Sequence, residues 1–228
     1  MKQAHIGIIG LGVMGGSLAR NIAGKGYTVS VYNRTTQRTN TFLKTFGNKN
    51  LLGHKTLKNF ILSLERPRKV ILMVQAGSAV DAILKELTPL MGSGDIIVDC
   101  GNSLYTDTIR RESLLQKQEI RFFGCGISGG EEGALNGPSL MPGGNRAAWR
   151  HLKPIFEAVA AKDFTGNPCV TYVGENGAGH FVKMVHNGIE YAVMQMLAES
   201  YEILSRGYRM SPYEIAAIFK KYNEGRLQ

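Results

Sequence analysis

Lys183, His186, Asn187, Glu190 and Tyr191 are the residues whose types and spacing best suit chemistry. At about 100° per residue they share one face of a helix. Phe181, Val182, Val185, Ile189, Ala192, Val193 and Met196 fall on the opposite face. The pattern is an apolar helix with one narrow polar stripe. An amine, an imidazole and a carboxylate gathered in this way can exchange protons with a bound molecule. A solvated face carrying a Lys/Glu pair gives similar spacing, as exposed helices commonly do. Against that reading, the stripe holds His, Asn and Tyr rather than many charges. Gly188 also opens space in mid-helix at a cost of ~1 kcal/mol.

A second group of residues suits anion binding. Gly10-Leu11-Gly12-Val13-Met14-Gly15 follows an apolar run and precedes a helical stretch. In that context the glycine spacing is a dinucleotide fingerprint. Gly10 permits the tight turn, Gly12 admits the pyrophosphate, and Gly15 lets the helix pack closely on the strand. Where NAD sites usually carry an acid for the ribose 2′-hydroxyl, this chain has Asn33-Arg34-Thr35. An acid would repel a 2′-phosphate, whereas Arg34 can clamp it, with Asn33 and Thr35 as further donors. The expected cofactor is NADP. Gly126-Ile127-Ser128-Gly129-Gly130 also matches the G-x-S-x-G nucleophile elbow, which needs a helix directly after the serine. The Gly- and Pro-containing residues 131–138 predict none, so the elbow is set aside. The N–H groups of Ser128, Gly129 and Gly130 can instead form a nest for an anion or hydroxyl.

Positioning these residues requires strands and helices in alternation. Apolar runs at 6–9, 27–32, 70–74, 96–99, 120–123 and 170–173 read as strands. Helical stretches follow at 13–25, 36–46, 80–87 and 149–161. Residues 124–144, rich in Gly, Pro and Ser, read as an ordered functional loop. This order predicts an α/β fold, a Rossmann-type doubly wound sheet over residues 1–177. A long helix over 178–206, closed by Gly207, would begin an all-α domain over 178–228. Ser211-Pro212 predicts an N-cap with Pro at N1 of a last helix, to about Tyr222. With 43% apolar and 20% charged residues the composition is that of a globular protein. The net charge of +9 admits nucleic acid, an acidic membrane surface or phosphorylated metabolites as partners. The basic residues are dispersed, with no aromatic-basic stripe or helix-turn-helix, so nucleic acid is not expected. No run is long and apolar enough for a membrane span or secretory signal, which leads us to expect a cytoplasmic location. Cys100, Cys125 and Cys169 show neither disulfide nor zinc spacing, and no metal is expected.

The sequence resembles the 6-phosphogluconate dehydrogenase family along essentially its whole length. The residues that carry the likeness are Gly10 to Gly15, Asn33-Arg34-Thr35, Val74-Gln75-Ala76-Gly77 and Asp99-Cys100-Gly101-Asn102-Ser103. The strongest blocks are Ile127 to Gly144 and Lys183-Met184-Val185-His186-Asn187-Gly188-Ile189-Glu190-Tyr191. The resemblance implies NADP-dependent oxidative decarboxylation of 6-phosphogluconate, a phosphorylated sugar acid, with Lys183 as base and Glu190 as acid. It implies cofactor contacts at Val74, Gln75, Ala76 and Asn102. Sugar contacts are implied at Asn102, Ser128, Gly129, Gly130, His186 and Asn187, and a phosphate contact at Tyr191. Gln75 stands where a Lys is frequent, and Cys100 where a Gly is common. Family members are considerably longer homodimers whose later helices supply further phosphate ligands. The chain is therefore expected to be an N-terminal portion that binds NADP and turns over substrate poorly. Two alternatives stand beside this reading: a related 3-hydroxyacid dehydrogenase, and an NADP-binding module that is catalytically incomplete.

Overall fold

A computed structural model describes residues 3–225. Seven strands form one sheet: β1 (Ile6–Ile9), β2 (Val29–Tyr32), β3 (Leu51–His54), β4 (Lys69–Leu72), β5 (Ile96–Asp99), β6 (Arg121–Ser128) and β7 (Ser139–Gly144). Their order is β3-β2-β1-β4-β5-β6-β7. All neighbours are parallel except β6 and β7. The helices are α1 (Val13–Gly24), α2 (Thr36–Phe46), α3 (Leu57–Leu62), α4 (Ser78–Leu87), α5 (Tyr105–Gln116), α6 (Gly130–Asn136), α7 (Arg146–Val159), α8 (Ala178–Glu202) and α9 (Pro212–Asn223).

The short strands are nearly continuous in apolar residues because both faces of a parallel sheet are covered. One face buries Ile6, Ile8, Val31, Ile71 and Val98 against Leu18, Ile22, Phe42, Leu152 and Phe156 of α1, α2 and α7. The other buries Ile9, Val70, Leu72, Ile97 and Phe122 against Phe60, Val80, Leu84 and Leu115 of α3, α4 and α5. The order of strands reverses between β1 and β4. A crevice opens at the carboxyl ends of the strands at such a point, and ligands of open α/β sheets bind there.

Several elements differ from those expected of the sequence. Residues 124–144 form the end of β6, α6 and β7 rather than a loop. Gly143 and Gly144 meet other backbone closely, whereas Gly124 and Gly126 make room for the side chains of His180 and Lys183. The expected strand at 170–173 is instead a run of isolated bridges beside β7, Leu140 to Val170 and Gly143 to Gly174. Pro142, which has no N–H, lies in the facing strand and cannot donate to a regular ladder. β3 and α3 were not anticipated, nor was α5. The long helix ends at Glu202, and Ile203–Gly207 continues as a wider turn in which Tyr208 N donates to Ile203 O at 3.1 Å. The capping of α9 is as expected: Ser211 is the N-cap and Pro212 occupies N1.

The chain forms two compact units, residues 1–184 and 185–228, the division falling within α8 after Met184. Among the described residues no helix is long and apolar enough to cross a membrane.

Candidate active site

The glycine loop joins β1 to α1 at the crevice. Gly10 N donates to Tyr32 O at 3.0 Å, and Met73 N donates to Ile9 O at 2.8 Å, so β2, β1 and β4 converge on the loop. Gly10 has φ of +100°, and a Cβ there would lie 2.2 Å from Met73 O. A Cβ on Gly15 would lie 1.9 Å from Gly10 O, whereas one on Gly12 would meet nothing within 4 Å. The first and third glycines thus serve packing, and the second faces open space. Gly12 is the N-cap of α1, with no side-chain capping bond and no acidic residue in the first turn. The free N–H groups and the helix dipole there favour an anion.

Asn33 organises this loop. Its Oδ1 accepts from Leu11 N at 3.1 Å and its Nδ2 donates to Thr35 O at 3.3 Å. Asn33, Arg34, Thr35, Val74 and Gln75 line one cleft of about 600 Å³ together with Gly10, Ala79, Ala82 and Ile83. Arg38 of α2 lines the cleft too, a cation that the sequence reading missed. Its position one helical turn after Arg34 was the available signal. No ion pair among the described residues engages Arg34 or Arg38. Tyr32 and Glu86 complete the wall, and burial, helped by Glu86, holds the Tyr32 hydroxyl above the usual phenol range. Leu11, Gly12 and Val13 line an adjoining cleft of about 430 Å³ with Thr35 and Arg38. Met14 packs at the core edge. Ala76 sits in the turn that leads to the N-cap Gly77, and Asn102 is exposed in the turn after β5.

Lys183 is positioned by backbone. The start of α8 lies directly on β6 and β7 because glycines face it. A Cβ on Gly126 would lie 2.5 Å from Lys183 Cβ, and one on Gly124 would lie 2.6 Å from His180 Nδ1. A Cβ on Gly179 would meet Gly124 O at 1.9 Å, and one on Gly143 would meet Gly179 N at 2.2 Å. In this cradle Lys183 keeps 8% of its surface exposed and His180 keeps 2%. His180 was also missed, although it stands three residues before Lys183 on the same helical face. Its Nδ1 and Thr108 Oγ1 are 2.6 Å apart, which ties α8 to α5. Burial pushes His180 below the usual imidazole range, against the opposing pull of the Asp99 carboxylate.

Ser128 ends β6, and Gly129 and Gly130 follow with φ of +120° and +59°. A short helix does follow the serine, so the ground on which the elbow was set aside does not hold. The elbow fails for another reason. Its serine must sit on the strained turn, whereas here the strained positions are the two glycines and Ser128 is regular strand.

His186, Asn187, Glu190 and Tyr191 belong to the second unit, further along α8. His186 Nδ1 lies 3.3 Å from Asn187 Oδ1 and 3.5 Å from Glu190 Oε2. The three side chains form one cluster. Tyr191 is 71% exposed, and Phe181, Val185, Ile189 and Met196 of the apolar face are exposed as well.

Residues 5–174 match the family model of the NAD binding domain of 6-phosphogluconate dehydrogenase. Residues 179–228 match the model of the 6-phosphogluconate dehydrogenase C-terminal domain. The decarboxylating 6-phosphogluconate dehydrogenase of Lactococcus lactis subsp. lactis is 54% identical over 228 residues, covering 100% of this chain and 48% of that protein. That of Schizosaccharomyces pombe is 54% identical over 227 residues, covering 99% of this chain and 46% of that protein. The solved 6-phosphogluconate dehydrogenase of Plasmodium falciparum, described in its apo form and with NADP+ or 6-phosphogluconate, superposes with a TM-score of 0.92. Its identity is 43%, covering 96% of this chain and 47% of that one. The chain spans about half the length of the curated relatives it matches. Since the matches run through both the glycine loop and the Lys183 helix, the chain belongs to the 6-phosphogluconate dehydrogenase family.

Proposed function

We propose that this chain supplies the NADP site and the catalytic helix for oxidative decarboxylation of 6-phosphogluconate to ribulose 5-phosphate and CO2. The observation that carries the reading is Lys183, buried on the Gly126 cradle of a helix that continues to His186, Asn187 and Glu190. The residues present suit NADP: a Gly10–Gly15 turn that a Cβ would block, an uncapped helix start with no acid in its first turn, and two arginines in one cleft that no ion pair among the described residues engages. Gly10, Leu11, Gly12, Val13, Met14 and Gly15 would hold the pyrophosphate, and Arg34 with Thr35 the 2′-phosphate. Val74, Gln75, Ala76 and Asn102 would complete the cofactor contacts. Bound NADP+ supplies the hydride acceptor.

Lys183 takes the proton of the C3 hydroxyl as hydride leaves C3. The C1 carboxylate of the resulting β-keto acid departs as CO2, and its bonding electrons pass into the ketone to give an enediol. Lys183 returns its proton to the C3 oxygen as the enediol forms, and Glu190 then assists protonation at the former C2, which becomes C1 of ribulose 5-phosphate. Asn102, Ser128, Gly129, Gly130, His186 and Asn187 hold the sugar acid, and Tyr191 contacts its phosphate. The functional partition places the cofactor domain at 1–177 and the catalytic helix in 178–228. The reading includes action in the cytoplasm, as a homodimer in the full-length protein. The family match favours the sugar acid over the substrates of other 3-hydroxyacid dehydrogenases. Calorimetry with NADP+ tests the cofactor half. Conversion of 6-phosphogluconate by a full-length protein containing this chain tests the chemical half. Lys183→Met should abolish hydride transfer and leave NADP+ affinity unchanged; wild-type turnover in that variant refutes the assignment.

A further inference from the structure

We infer that Arg111 of α5 is a positioning residue for the dinucleotide, joining the turn after β4 to the turn after β5; the inference rests on the NADP reading above. Arg111 is 1% exposed, the largest fully buried side chain among the described residues. Its Nη2 donates to Gly77 O at 3.0 Å and to Asp81 Oδ2 at 3.1 Å, and its Nε donates to Asp81 Oδ1 at 2.9 Å. These bonds fix the N-cap and first turn of α4, and so the end of the Val74–Gly77 turn. On its other side Nη1 donates to Ser103 Oγ at 3.4 Å and lies 3.6 Å from Asp99 Oδ2. Asp99, itself fully buried, accepts from Ser103 Oγ at 2.6 Å and from Gly101 N at 3.0 Å. The carboxylate thereby closes the turn that carries Asn102. One guanidinium thus spans both turns, using the planar fork that lysine lacks.

A buried ion pair is weak evidence of a stabilising role, since apolar side chains of like volume often do as well. The sheet contains its own comparison. Arg68 and Asp95 form a second buried pair, with Arg68 Nη1 3.1 Å from Asp95 Oδ2, at the amino ends of β4 and β5. That pair joins the same two strands at the end away from the crevice. Arg111 joins them at the end where the cofactor contacts lie. Arg111 and Asp99 are buried as Arg68 and Asp95 are, although Asp81, the nearer partner of Arg111, is partly exposed; the two sites differ in which loops they hold.

The test is NADPH and NADH titration of Arg111→Lys and Arg68→Met, each with its melting temperature. Arg111→Lys should weaken both dinucleotides by the same factor, about tenfold, because it loosens two turns instead of removing a 2′-phosphate contact. Arg68→Met should lower the melting temperature and leave both affinities at the wild-type value. Ser103→Ala, which removes only the hydroxyl link to Asp99, should weaken both dinucleotides in the same sense and serves if Arg111→Lys does not fold. Wild-type affinity in Arg111→Lys or in Ser103→Ala overturns the inference alone, as does equal weakening by Arg68→Met. Failure of the unmutated chain to bind NADPH overturns the cofactor reading and the inference with it.

Discussion

On the proposed reading Arg34 carries the difference between two dinucleotides, because it stands where an acid would bind the ribose of NAD. Arg34→Glu should cost NADP+ about 1.5–3 kcal/mol of binding and leave NAD+ less affected, as calorimetry would read. At Gly126 the added methyl of alanine would meet the Cβ of Lys183 at 2.5 Å. Overpacking of this kind costs about 1–3 kcal/mol, so Gly126→Ala should lower the melting temperature and displace Lys183. Glu112 offers a pH-dependent test. Burial and the neighbouring Glu175 push its carboxyl up to about 7. The folded state therefore holds the proton more tightly than the unfolded chain, and the associated stability is present below the ordinary carboxylate range and lost as pH rises through 7. The group is half-exposed, so solvent screening leaves about 1 kcal/mol, or ~2–4 °C. Glu112→Gln should raise the melting temperature by that amount at pH 8 and very little at pH 4. Residues with local signatures, Gly10 to Gly15 and Lys183 to Tyr191, were legible in the sequence. Arg111 and His180 were not, since Arg111 bonds residues 30 and 34 positions away and His180 one 72 positions away.

Elements were legible where the apolar periodicity was marked; α5, twelve residues long, buries Thr108, Arg111 and Leu115 and so shows little of it. The glycine-rich end of β6 and the whole of β7 were obscured because their composition answers to the helix that lies on them rather than to strand propensity. Gly124 and Gly126 are strand residues without side chains because His180 and Lys183 occupy the space. α3, at six residues, is too short to show a helical period, and β3 holds Gly53 at mid-strand. The start of α9 was legible because capping is chemistry between near neighbours. Ser211 Oγ accepts from Glu214 N at 3.4 Å, and Glu214 Oε2 accepts from Ser211 N at 2.8 Å. Ser211→Ala should cost about 1 kcal/mol. Amide exchange over residues 213–215 should accelerate about fivefold if the helix opens locally; unchanged exchange would show that the box does not hold the helix end.

For the whole molecule, the alternation of apolar runs and helices was enough to identify the sheet, and the reversal of strand order then located the crevice. The net charge of +9 bears on kinetics rather than fold. An anionic dinucleotide should associate more slowly as salt is added, with a smaller change in its dissociation rate; stopped-flow titration across a salt series reads both, and a salt-independent association rate would show that the charge is too dispersed to steer. The segment after α7 has an effect of its own. Leu140 N donates to Cys169 O at 3.0 Å, Val173 N to Pro142 O at 3.0 Å, and Gly144 N to Gly174 O at 3.0 Å. These bonds occupy the outer edge of β7, where an unpaired strand would invite edge-to-edge aggregation. Because the guard is fastened at a few points rather than along a ladder, loosening it would expose a sticky margin while the sheet behind it stayed folded.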